Sequence, residues 1–246
     1  MNKPNQPTSP LPRRVLITGG SRGIGLAIAK SFVESGDHVI ITARDATQLQ
    51  RAADELYVQY IAADFSDYEQ AQRAFAQIEA DGPVDVLINN AGTAHFGLFT
   101  DMTPAQWHDV ISNNLLTAIN ASHLAIPAMV RAKSGIIINI TSIWGLTGAS
   151  CEAVYAATKG AVCALTKSLA KELGPSNIRV NAIACGAIDT RMNDRLSSEE
   201  KSAFIDDIPL GRFGQPQEVG PLAVFLASDN ASYLTGQIIA LDGGVI

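Results

Sequence analysis

Seven short runs of β-branched and aliphatic residues recur along the chain, "VLITG", "HVIIT", "VQYIAAD", "VDVLINN", "GIIINITS", "IRVNAIA" and "QIIALDGG", with longer amphipathic stretches between them. Strands that alternate with helical crossovers pair in parallel, because each helix carries the chain back to the end of the sheet where the previous strand began. The runs are apolar throughout rather than alternating, as expected of strands covered on both faces. The chain therefore reads as α/β, a single-domain, doubly wound (Rossmann) seven-stranded parallel sheet with helices on both faces. Residues 189 to 218 break the rhythm with charges and "PLGRFGQP", and read as a lid segment over a site.

Composition narrows the partners. With 246 residues, 47% of them hydrophobic, there is material for one domain with a substantial core. A net charge of −6 without a basic stripe argues against nucleic acid and against an anionic membrane surface. No apolar run approaches the roughly 20 residues of a membrane-spanning helix. Cys151, Cys163 and Cys185 are odd in number and lack C-x-x-C spacing, so no disulfide framework and no metal site is expected, and a reduced, cytoplasmic setting is. Residues 1–13 contain four prolines and no apolar signal core. They are expected to form a flexible tail, unsuited to an amphipathic transit helix, ahead of a catalytic domain at 14–246.

"TGGSRGIG" runs from Thr18 to Gly25 directly after the first strand and opens an apolar helix. Gly19, Gly23 and Gly25, with Ser21, Arg22 and Ile24 between them, let the main chain turn sharply and approach a pyrophosphate, whose charge is favoured at a helix N-terminus. An ordinary strand-to-helix turn needs fewer glycines, so the dinucleotide reading is preferred. Leu26 stands where a Walker loop needs lysine, which excludes an ATPase. The second strand ends Thr42-Ala43-Arg44, where an NAD enzyme places a carboxylate for the ribose 2′-hydroxyl. Arg44, joined by Arg22, suits a 2′-phosphate instead, so NADP(H) is the expected cofactor. Asp45, the next residue, argues the other way.

The segment "TSIWGLTGASCEAVYAATKG" holds Ser142, Tyr155 and Lys159. Tyr155 and Lys159 are four apart in a helix-forming run and share a face. Ser142 follows an apolar strand, at the edge where open α/β sheets bind ligands. A free tyrosine titrates near 10, and a neighbouring ammonium favours its phenolate. In ketone reduction Tyr155 would protonate the developing alkoxide while Ser142 hydrogen-bonds the same oxygen.

On the loop at 18–25, the "NNAG" at 89–92 and the Ser142, Tyr155, Lys159 spacing, the chain resembles the short-chain dehydrogenase/reductase family over 14–246, and within it most resembles the beta-ketoacyl-[acyl-carrier-protein] reductases. The resemblance implies that Asn114 of "SNNLLTA" holds a water in a proton relay, with Asn113 as the neighbouring alternative. It places Asn90, Ala91 and Gly92 near the cofactor, Asp64 and Phe65 at its adenine end, Thr190 at its carboxamide, and Gly186 and Ile188 beside its nicotinamide. Trp144 and Cys185 join Ser142 and Tyr155 at the substrate. The family usually reads Pro-Gly where this chain has Cys185-Gly186, so a less restrained backbone is expected there, with a thiol that is either reactive or a small packing group. A homotetramer is implied, with the helices at 107–133 and 151–173 pairing between subunits. Ala156, Ala157, Gly160, Ala161 and Ala164 would permit close helix approach there, or merely pack on their own sheet.

Two rival functions fit the sequence less well. A serine hydrolase fails on sequence, since Ser142 is not in G-x-S-x-G and His38, His95, His108 and His123 mark no obvious base, although His95 could line a pocket mouth. A non-catalytic NADP-binding sensor or scaffold would be expected to lack Tyr155 or Lys159. For the substrate, a 3-oxoacyl thioester on an acyl carrier protein leads, with a 5-aminopentanone group on elongation factor P, a small ketone or a sugar alcohol as alternatives. An acidic carrier wants basic residues at the mouth; Arg131 and Lys133 are candidates, while Pro175 and Ser176 stand where such reductases often carry a basic residue.

Overall fold

The computed structural model describes residues 12–194 and 196–246; residues 1–11 of the expected tail lie outside the described residues. Each apolar run becomes a strand: β1 (Arg14–Thr18), β2 (His38–Ala43), β3 (Gln59–Ala62), β4 (Val86–Asn89), β5 (Gly135–Ser142), β6 (Ile178–Cys185) and β7 (Ile238–Leu241). They form one parallel sheet in the order β3-β2-β1-β4-β5-β6-β7. Strand order reverses direction between β1 and β4, the point at which such sheets open a crevice beyond their strand C-termini.

Between the strands run α1 (Gly23–Glu34), α2 (Ala46–Leu56), α3 (Tyr68–Glu79), α4 (Pro104–Ile111), α5 (Thr117–Ala132), α6 (Trp144–Thr147), α7 (Ala153–Leu173), α8 (Ser198–Asp206) and α9 (Pro216–Leu226). Successive side chains of a strand point to opposite faces, so Val15 and Ile17 pack with Phe32, Leu49 and Val219 of α1, α2 and α9, while Leu16 packs with Phe75 and Met129 of α3 and α5. Leu173 of α7 closes the second layer. Two covered faces hold for the inner strands and fail at the rims: Gln59, Tyr60 and Ala62 of β3 are exposed, because an edge strand has one neighbour and less helix above it. Arg13, assigned to the tail by sequence, pairs with Asp37 at 2.7 Å and donates to the Ala227 carbonyl. Among the described residues no helix is long and apolar enough to cross a membrane.

Candidate active site

The crevice holds a cavity of about 1060 Å³. Its floor at one end is the turn leaving β1. The amides of Gly19 and Gly20 donate to the Thr42 carbonyl at 2.8 and 3.1 Å, and Asn90 Nδ2 donates to the carbonyls of Thr18 and Gly19, both at 3.0 Å. Thr18 Oγ1 accepts from the amides of Asn90 and Ala91. These elements approach so closely that a Cβ on Gly25 would lie 2.3 Å from the Gly19 oxygen, and one on Gly19 would lie 2.8 Å from Ala91 Cα at φ +69°. Arg22 is the N-cap of α1 and makes no side-chain cap, nor does any acidic residue occupy the first helical turn. The leading N–H groups of α1 therefore have no side-chain cap, and Ser21, Gly23 and Ile24 line the cavity, an arrangement that fits a pyrophosphate.

Arg44, Asp64 and Phe65 line the same end. Asp45 does not contradict the arginine: its carboxylate accepts from the Gln48 amide at 3.0 Å and caps α2. Asp64 accepts from the Ser66 amide and hydroxyl at 2.9 and 2.7 Å and lies 3.9 Å from Arg44. Both carboxylates here thus have structural work, while Arg22 and Arg44 supply positive charge to the wall. The cap was legible as Asp45 followed three residues later by Gln48.

At the other end Ser142 terminates β5, and its Oγ accepts from the Trp144 amide at 3.2 Å. Tyr155, half-buried, and Lys159 project from α7, and Ser142, Trp144, Tyr155, Lys159 and Cys185 all line the cavity. Lys159 is 5% exposed; its Nζ donates to the Ile140 carbonyl at 3.0 Å and lies 5.8 Å from the Tyr155 ring centroid. Burial pushes the Lys159 amine down to about 8.

At Cys185-Gly186 the thiol is the packing group of the two alternatives, while the backbone is not looser as expected. Burial pushes the Cys185 thiol up to about 12 although the Lys159 charge acts to lower it, so the group is a protonated packing thiol rather than a reactive one. The backbone is restrained without proline: Cys185 O accepts from Ile143 N, just past β5, and Gly186 N donates to Leu241 O of β7, both at 3.0 Å. A Cβ on Gly186 would lie 2.7 Å from Asp242 Cα. Cys163 is buried 3.5 Å from Thr141 Oγ1, and Cys151 adopts the left-handed region at φ 61°.

Between α4 and α5 the chain forms a π-helical turn, Ser112–Leu116, a feature that often marks functional sites. It sends the two asparagines to different places. Asn113 lines the cavity and donates to the Asp109 carbonyl and carboxylate. Asn114, 2% exposed, lies beneath it: Oδ1 accepts from Thr93 N at 2.7 Å, and Nδ2 donates to Thr93 O at 2.9 Å and Thr158 Oγ1 at 3.0 Å. The point where a Gly92 Cβ would stand is 2.9 Å from Asn114 Oδ1 and 3.5 Å from Lys159 Nζ, so Asn114 and Lys159 border one small space.

Segment 189–218 forms the far wall. Ile188 pairs with Gly214 as an isolated parallel bridge, and Thr190 Cγ2 comes within 3.5 Å of a Cβ position on Gly23, which brings the segment across the glycine loop. Met192, Leu196, Phe204 and Phe213 line the cavity, with Phe204 edge-on to Phe213 at 6.4 Å, and Phe96 joins them from the loop after β4. Nothing local distinguishes these from core residues in sequence. Arg131 and Lys133 do not flank this mouth: they end α5, roughly 25 Å along the helix from the π turn. Among the described residues no histidine lines the cavity; His108 stacks on Trp107 and His123 packs on Tyr68. Among them, too, no group of three His, Cys, Asp or Glu side chains is placed to hold a metal ion.

The profile of the family described as Enoyl-(Acyl carrier protein) reductase matches residues 19–246. The 3-oxoacyl-[acyl-carrier-protein] reductase FabG of Chlamydia trachomatis is 40% identical over 240 residues, 95% of this chain and 97% of that one. An uncharacterized oxidoreductase of Bacillus subtilis, YmfI, is 38% identical over 94% of this chain and 98% of its own length. The crystal structure of a 3-oxoacyl-[acyl-carrier protein] reductase from Brucella melitensis superposes with a TM-score of 0.89 at 37% identity, covering 95% of this chain and 91% of that one. With its glycine-rich turn after β1, its sheet order and these similarities spanning nearly its whole length, the chain belongs to the short-chain dehydrogenase/reductase family and is an oxidoreductase of the class that works with a nicotinamide nucleotide.

Proposed function

We propose that this protein uses NADPH to reduce a ketone, foremost a 3-oxoacyl thioester, to the secondary alcohol. The observation that carries the reading is the convergence of Ser142, Tyr155 and the buried Lys159 on one cavity whose opposite end is the glycine loop. A bound nicotinamide supplies the hydride. The chain supplies the rest: Ser142 holds the carbonyl oxygen by a hydrogen bond, and Tyr155 passes its phenolic proton to that oxygen as it becomes an alkoxide. Lys159, charged below about pH 8, stabilises the negative charge left on the phenol oxygen. Asn114, bordering Lys159, holds the water through which the proton is replaced. At the cofactor end, Arg22 and Arg44 would meet the 2′-phosphate, Asp64 and Phe65 the adenine, and Ile188 and Thr190 the nicotinamide. The presence of both Tyr155 and Lys159 counts against a sensor or scaffold.

The test is NADPH oxidation with acetoacetyl groups on coenzyme A and on acyl carrier protein. Turnover is expected with NADPH, and Arg44→Ala should weaken NADPH binding about 10- to 100-fold while leaving NADH unchanged, as loss of a charged hydrogen bond does. Tighter binding of NADH than NADPH would sink the cofactor assignment. Tight NADPH binding without turnover would move the substrate to 5-aminopentanone on elongation factor P or another small ketone. We also propose a homotetramer working in the cytoplasm. Leu116, Ile119 and Val130 are each 38% exposed along the α5 flank, and Ala157 and Ala164 of α7 face outward while Ala156 packs inward. A monomer mass by light scattering at micromolar concentration would refute the assembly.

A further inference from the structure

We propose that Thr158 is a positioning residue for the proton relay and acts through Asn114; this rests on the ketone-reduction reading. Thr158 lies on α7 between Tyr155 and Lys159 and is 3% exposed. Its hydroxyl donates to the Tyr155 main-chain carbonyl at 2.7 Å. A helical threonine commonly bonds back to its own preceding turn, and that bond alone would mean nothing. The second bond is different: the same oxygen accepts from Asn114 Nδ2 at 3.0 Å, across 44 residues of sequence. Asn114 is held on its other side by Thr93, through both Oδ1 and Nδ2.

The hydroxyl therefore joins the helix that carries Tyr155 and Lys159 to the π turn, and Asn114 extends the link to the loop at 92–93. Without it, a buried Asn114 N–H loses its partner and the asparagine is fixed from one side only. Because Asn114 Oδ1 and Lys159 Nζ border the same space at Gly92, loosening the amide moves the group next to the ammonium. Valine matches threonine in shape and lacks both bonds; serine keeps the oxygen.

The experiment compares Thr158→Val and Thr158→Ser, each in the wild-type and Asn114→Ala backgrounds, by kcat, its pH profile, NADPH Kd and thermal unfolding, with whichever ketone the wild-type chain turns over. Thr158→Val should lower kcat at least about tenfold, as small misplacements near reacting groups do, and distort the alkaline limb of the pH profile while NADPH Kd stays within about twofold. Serine should restore most of kcat, and in the Asn114→Ala background valine should cost nothing more. If valine does not fold, Thr158→Ala carries the same comparison. Full kcat in the valine variant, or an equal loss with Asn114 already removed, overturns the role. Absence of turnover in the wild-type chain overturns the reductase reading itself and this role with it, which separates the two failures.

Discussion

Tyr155→Phe is expected to lower ketone turnover by about 10³-fold while NADPH binds as before, because the substitution keeps the ring on the cavity wall and removes the proton donor. The size follows from the chemistry. Hydride addition leaves full negative charge on the oxygen, and without a phenolic proton that charge is met only by the Ser142 hydroxyl. The loss should appear in kcat far more than in the KM for the ketone, since proton transfer belongs to the transition state. Steady-state NADPH oxidation together with a direct NADPH titration checks it. Retained turnover in the phenylalanine variant would mean that another group protonates the product, and the assignment of Tyr155 would be lost.

Lys159→Met should move activity and stability in opposite directions. Lys159 is buried with a main-chain carbonyl as its hydrogen-bond acceptor, and burial pushes its amine from 10.5 down to about 8, a penalty of roughly 3 kcal/mol on the charged form. Methionine fills the volume without the charge. After about 1 kcal/mol for the lost bond to Ile140 is subtracted, the variant should be about 2 kcal/mol more stable at pH 7, raising Tm by about 4 °C. Turnover should fall by about 10²-fold or more, because the charge beside Tyr155 is gone. The folded chain releases the Lys159 proton near pH 8 and the unfolded chain near 10.5, so the unfolded state binds more protons between those values. Wild-type stability should therefore gain on the methionine variant as pH rises across that window, while wild-type turnover falls above about pH 8. Calorimetry from pH 6 to 10.5 decides the matter: a variant less stable at pH 7 would show that the ammonium is a net stabiliser.

Conflict between stability and function of this kind is common at active sites, where groups are held in environments that disfavour them. Here it is visible in the neighbours as well. Cys185 lies beside Ser142 in the strand register and feels the Lys159 charge, yet the same burial that lowers the lysine raises the thiol, and the thiol stays protonated. Sequence offered no cation near Cys185 because Lys159 is on another element, 26 positions earlier.

Much of the architecture was written into local residue pattern. Continuous β-branched runs specify strands covered on both faces, glycines at 19 and 25 specify a turn with no room for a side chain, and a four-residue spacing on a helix brings Tyr155 and Lys159 to one face whatever surrounds them. Those are properties of short stretches of chain, so sequence alone determined the sheet, the glycine turn after β1 and the Tyr155–Lys159 pair. What only the tertiary structure decided depends on contacts between distant segments. The π turn that separates Asn113 from Asn114 has no composition signal. The direction of α5 carries Arg131 and Lys133 to the far edge of the sheet, and the apolar wall at Met192, Phe204 and Phe96 looks like core until segment 189–218 is seen crossing the cavity. Burial, which sets the state of Lys159 and Cys185, is likewise a sum over neighbours that no local window contains.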